Sequence, residues 1–210
     1  MMRLRGTGTE IAAELVRTWA CPQAVEAAER ARLAVAPHTP QLLPWQAVAL
    51  YVLAAPYNRL GAHLLEIGTA AGYSAAVLAQ ACRNASLVSL NPAAHELTVA
   101  AEHLTPYANV ALIQALSWDF LPLWRAPLLD LVWVDGDHRR LEADLPWFDR
   151  LRPHGLLLLH DYSPVACPAV CEAVARLSER LGREPDVEMI DDQGIGMAGF
   201  YRGPREVWEG

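Results

Sequence analysis

The sequence predicts an α/β fold: a mostly parallel sheet of seven strands with helices on both faces, a C-terminal antiparallel hairpin and an N-terminal helical extension. Three observations carry that expectation. From residue 63 onward, short apolar runs alternate with segments of helical periodicity, the pattern of a parallel sheet whose strands are joined by crossover helices. Short, mainly apolar runs of this length suit strands buried on both faces. Hydrophobic residues make up 53% of the 210 and charged ones 20%, enough to bury one core in a domain of ordinary size.

Taken in order, residues 11–19 and 25–35 place apolar side chains at helical spacing, and Pro22 suits a first helical turn. Thr39 and Pro40 read as the N-cap and first-turn proline of a third helix reaching about residue 55, before Pro56. These helices define an extension over residues 1–60; the sheet domain spans 61–210. Strands are expected at 63–67, 86–90, 109–114, 128–134 and 155–160, with helices at 73–81, 93–104, 139–151 and 165–181. Two more strands, 186–190 and 197–202, flank a turn at Gly194 and Gly196 and form the hairpin. Ligands of such a sheet bind at the carboxyl ends of its parallel strands.

Composition excludes several function classes. All 17 basic residues are arginine, and 24 acids leave a net charge of −7, so no basic stripe stands ready for nucleic acid. Without lysine, Schiff-base and P-loop chemistry is excluded. Four cysteines with no C-x-x-C pair make neither a disulfide scaffold nor a zinc motif. Glu10 and Glu14 interrupt any signal-peptide pattern, and Pro44 and Pro56 break the longest uncharged run, 41–58. The expectation is a cytoplasmic protein with no membrane partner.

The stretch Leu64-Leu65-Glu66-Ile67-Gly68-Thr69-Ala70-Ala71-Gly72-Tyr73-Ser74 runs from a strand through glycines into a helix. That layout lets a small ligand approach the backbone at a helix N-terminus. The dinucleotide fingerprint is absent, because Ala70 fills its middle glycine position, and Glu66 before the loop suits a cationic ligand better than a pyrophosphate. The fourth strand ends in Asp135-Gly136-Asp137-His138 and the fifth in His160-Asp161-Tyr162. Neighbouring strands thus deliver Asp135 and Asp161 to one edge, where oxygen ligands suit Mg²⁺ or a similar hard cation.

These motifs resemble the class I S-adenosylmethionine-dependent methyltransferases over roughly residues 39–202. The E-I-G-T-x-x-G-Y-S loop is similar to the small-molecule O-methyltransferase branch, catechol and caffeoyl-CoA enzymes included. The D-G-D-H and H-D-Y segments are similar to macrocin-type sugar O-methyltransferases and cephalosporin-hydroxylase-like proteins. The resemblance implies a Rossmann-like fold that binds S-adenosylmethionine, with Glu66, Gly68, Thr69, Gly72, Tyr73 and Ser74 around its methionine part. It also implies Asn91 at the ribose, Ser117 and Trp118 around adenine, and Asp135 beside both cofactor and metal.

Two positions depart from the family pattern. Asn91 stands where Asp or Glu usually holds the ribose hydroxyls; a neutral hydrogen bond contributes about 0.5–1.5 kcal/mol against about 1.5–3 for a charged one, a loss of about tenfold in affinity. Asn91 equally suits a cap for the helix that Pro92 begins. The metal set implied by the resemblance is Asp135, His160 and Asp161, with His160 where relatives carry an acid, which shifts preference toward softer ions. A basic lysine of catechol-type enzymes falls on His138, whose ordinary pKa near 6.5 suits a general base. Asp144 and Trp147 complete the pattern in a structural role.

The implied function is O-methylation of a small hydroxylated molecule, a sugar or phenolic, with His138 and Asp135 catalytic and a divalent metal such as Mg²⁺ as a further cofactor. In related enzymes segments like 1–60 cover the substrate or form dimer contacts, so a homodimer is a reasonable partner state. Rival readings are a non-catalytic S-adenosylmethionine-binding protein, a metal-dependent hydroxylase-like enzyme on the same fold and, last, a nicotinamide dehydrogenase.

Overall fold

The computed structural model describes residues 1–36, 42–125 and 127–203. Its elements are β1 (Met2–Gly6), α1 (Gly8–Thr18), α2 (Gln23–Ala34), α3 (Pro44–Ala54), β2 (His63–Ile67), α4 (Tyr73–Ala81), β3 (Ser86–Asn91) and α5 (Ala94–Leu104). They continue with β4 (Val110–Gln114), α6 (Ser117–Phe120), β5 (Leu129–Val134), β6 (Leu151–Leu159), α7 (Pro168–Leu181), β7 (Val187–Asp191) and β8 (Gly196–Tyr201). They form a single sheet in the order β1-β7-β8-β6-β5-β2-β3-β4. Only β8 runs against the others, pairing antiparallel with β6 and β7.

The expected architecture is present, with one correction: eight strands, not seven. Residues 2–6 join the sheet as β1, parallel to β7 in the register Met2↔Val187 to Gly6↔Asp191. Met2 and Leu4 alternate with exposed Arg3 and Arg5, the two-residue period of a half-buried edge strand. The charges blunt that edge.

Alternate side chains of the central strands feed opposite cores. Leu64, Leu87, Leu131, Trp133, Leu156 and Leu158 pack beneath α1–α4. Leu65, Leu90, Val132, Val134, Leu157 and Leu159 pack against α7 and the loops after β5. All six residues of β5 are buried, which explains its apolar sequence; the one exception, Asp130, is paired with Arg59 and Arg152.

Local differences have local causes. Helix α3 starts at Pro44; Thr39 and Pro40 lie outside the described residues. The expected helix at 139–151 is two 3₁₀ segments, His138–Ala143 and Leu145–Arg150, because Pro146 lacks an N–H and disfavours α geometry at Leu145. Strand β6 begins at Leu151, four residues before the expected 155, with its register against β5 shifted between Leu129 and Leu131. Among the described residues no helix is long and apolar enough to cross a membrane.

Candidate functional site

The chain leaves β2 for β3 and β4 on one side, then returns to place β5 on the other, so the order reverses between β2 and β5. A crevice opens at such a reversal, at the carboxyl ends of the strands. Here Gly68 turns the backbone at φ +99°, donates its N–H to the Leu90 carbonyl at 2.9 Å and crosses the tip of β5. Asp135 in turn donates its N–H to the Ile67 carbonyl at 2.8 Å. A Cβ on Gly68 would sit 2.0 Å from the Asp135 carbonyl oxygen, so only glycine closes this approach.

The cleft beside that contact is lined by Gly68, Asn91, Glu96, Trp118, Asp135 and Asp144, among others. The strand tips therefore bring together five of the expected positions: Gly68, Asn91, Ser117, Trp118 and Asp135. The Arg140 guanidinium stacks 4.2 Å from the centre of the Trp118 ring, a contact that charge alone did not reveal. The Ser117 hydroxyl donates to the buried Asp144 carboxylate. Burial raises the Asp144 pKa to about 6, with Ser117 opposing.

Other expected positions lie behind this wall. Glu66 is fully buried under the loop, accepting from Ser89 Oγ, whose hydroxyl lies 2.5 Å from Thr69 Oγ1. Burial raises the Glu66 carboxyl to about 7; the Ser74 and Ser89 hydroxyls oppose the shift and Asp135 adds to it. Its Oε1 is buried without a close hydrogen-bond partner, so ionising the carboxyl there is costly. Tyr73 instead points its hydroxyl at the Ala28 carbonyl of α2, 3.4 Å away. Gly72, at φ +90°, makes room for Leu104 and Ala100 of α5, so its smallness serves helix packing.

On the other side of Asp135, the donor atoms of Asp135, His160 and Asp161 lie within 4.8 Å of one another, as do those of His138, Asp161 and Cys167. Asp161 holds φ +52°, an uncommon non-glycine conformation that turns its carboxylate between the two histidines. His160 is buried, with Nδ1 at 2.8 Å from Asp135 Oδ1 and 3.4 Å from Asp161 Oδ1. Burial lowers its pKa, but the Asp135 and Asp161 carboxylates outweigh that and hold it above the ordinary value. His138 Nε2 is covered and without a hydrogen-bond partner, 3.6 Å from Asp161 Oδ2.

The contact that fixes His160 comes from α3. Gln46 Oε1 accepts the Leu43 N–H at 2.9 Å, which identifies it as the carbonyl oxygen, and lies 3.0 Å from His160 Nε2. Nε2 therefore carries a proton, and Nδ1 is the atom presented to the two carboxylates. With Nε2–H anchored on an amide, this donor set fits a divalent cation that accepts one nitrogen and two oxygens in exchange for the Nδ1 proton. Sequence reasoning missed Gln46, because its partner is 114 residues away. It also missed Glu96, which the first turn of α5 carries into the cleft.

The family model described as a methyltransferase domain matches residues 65–162. The matched segment, 98 of the 210 residues, is similar to a methyltransferase domain. It spans the glycine loop, the cleft and both acid-bearing strand tips. Solved structures agree on the fold. The O-methyltransferase TomG of Streptomyces achromogenes, involved in tomaymycin synthesis and solved with S-adenosylmethionine, superposes with a TM-score of 0.65 at 20% identity over 97% of this chain and 100% of that one. An O-methyltransferase of Bacillus cereus in complex with S-adenosylhomocysteine gives 0.65 at 17% identity, covering 90% and 96%. The Podospora anserina methyltransferase PaMTH1, bound to S-adenosylhomocysteine, gives 0.65 at 19%, covering 93% and 94%. No curated protein matches the chain in sequence.

Proposed function

We propose that the protein is an S-adenosylmethionine-dependent O-methyltransferase acting on a small hydroxylated molecule, a sugar or a phenolic. The observation that carries this reading is the position of Asp135, with the Gly68 cleft on one side and the cluster of His138, His160 and Asp161 on the other. A donor in the cleft and an acceptor over the histidines would then meet at one carboxylate.

In this reading Gly68, Asn91, Ser117, Trp118 and Asp135 line the donor site, and Glu66, Thr69 and Ser74 support its floor. The donor supplies an activated methyl group, so the chain's task is to orient the acceptor, exclude water and remove one proton. Orientation supplies about 7–11 kcal/mol in favourable cases. His138 Nε2, unpartnered at the edge of the cluster, takes the acceptor's hydroxyl proton. Asp135, His160 and Asp161 would hold a divalent cation, which would supply positive charge beside the acceptor oxygen. The described part of residues 1–60 would cover the acceptor side, since Gln46 of α3 reaches into the cluster. A net charge of −7 disfavours a nucleic-acid acceptor.

The test is a methyl-transfer assay with S-adenosylmethionine and a panel of sugars and phenolics, read by mass spectrometry. O-Methylated product is expected, and His138→Ala should lower kcat by about 10²–10⁴. Donor binding without transfer to any oxygen, or a His138→Ala kcat matching wild type, overturns the reading or the base respectively.

A further inference from the structure

We propose that Glu96, not the strand-tip residue Asn91, supplies the carboxylate that grips the ribose diol of the donor, with Asn91 holding Glu96 in place. This rests on the reading of the cleft as the donor site. A ribose presents two adjacent hydroxyl donors, and the group that best satisfies both is a single carboxylate, because hydrogen bonds to a charged acceptor are about twice as strong as neutral ones.

Asn91 is poorly suited to that task. Its side-chain amide donates to Glu96 Oε2 at 2.6 Å and to the Ala93 carbonyl at 3.4 Å. One neutral acceptor, Oδ1, is left for two hydroxyls. Glu96 stands beside it in the first turn of α5, part-exposed and lining the same cleft. After accepting from Asn91, its carboxylate keeps most of its lone-pair capacity.

The other carboxylates of the cleft are engaged elsewhere. Asp135 is paired with His160, Asp144 accepts from Ser117, and Asp137 caps the Arg139 N–H at 3.0 Å. Glu96 is the lining carboxylate that stands against the tip of β3, bonded to the Asn91 side chain itself. The acid expected at the tip of β3 is thus displaced five positions along the chain and returned to the cleft by the turn at Pro92.

The test measures dissociation constants for S-adenosylhomocysteine and its 2′-deoxy and 3′-deoxy forms by calorimetry, on wild type, Glu96→Gln and Asn91→Ala, each checked for an unchanged melting temperature. Wild type should bind the parent compound and lose about tenfold or more on removal of either hydroxyl. Glu96→Gln should bind the parent about ten- to a hundredfold more weakly and be nearly indifferent to the deoxy substitutions. Asn91→Ala should weaken binding by a smaller factor and keep the deoxy penalty. The assignment is overturned if Glu96→Gln matches wild type on the parent, or keeps the full deoxy penalty. If wild type binds none of the three, the donor-site reading itself has failed, and the assignment with it.

Discussion

Glu66 shows how much a single buried carboxyl can say. Folding raises its pKa from 4.5 to about 7, so between those values the native chain binds more protons than the unfolded one, and stability falls as pH rises through the window. Glu66→Gln removes that penalty. Its stability relative to wild type should therefore grow by about 2–3 kcal/mol from about pH 5 to about pH 8, read from urea midpoints. A gap independent of pH would mean that Glu66 folds as an ordinary ionised acid. At this scale the sequence was informative wherever a side chain stands at a strand tip, as Asn91 and Asp135 do, since topology alone fixes those positions. It was silent on Gln46 and on the Glu96–Asn91 pair, whose meaning depends on contacts that no local pattern encodes.

At the scale of elements, helices and strands were legible where glycines and turns bound a short apolar run, as in β2 and α4, whose observed bounds equal the expected ones. Prediction weakened where prolines interrupt, at the 3₁₀ segments and at the start of β6. It failed at β1, where five residues gave too short a run for alternation to stand out. The junction of β1 and α1 has its own test. Thr7 caps α1 through a reciprocal box with Glu10: Glu10 N–H donates to Thr7 Oγ1 at 3.2 Å and Thr7 N–H to Glu10 Oε2 at 2.8 Å. Thr7→Ala should cost about 1 kcal/mol in denaturant unfolding with donor affinity unchanged. A drop in affinity instead would tie α1 to the cleft more closely than the structure does.

For the whole molecule, one topological fact gathers the chemistry: the sheet reverses its order between β2 and β5. The glycine loop of β2 and the acids tipping β5 and β6 come to one edge because all three strands are parallel. The domain sequence carried that information in its alternation of elements. The extension did not announce that α2 and α3 pack into the same core as α4, since an amphipathic pattern does not say which surface it meets. The most direct measurement is equilibrium dialysis with radiolabelled S-adenosylmethionine. The account predicts saturable uptake of about one equivalent per chain, competed by S-adenosylhomocysteine and weakened about tenfold or more by Trp118→Ala, the loss of one stacked base. No saturable uptake, or uptake indifferent to Trp118→Ala and Gly68→Arg alike, would contradict it.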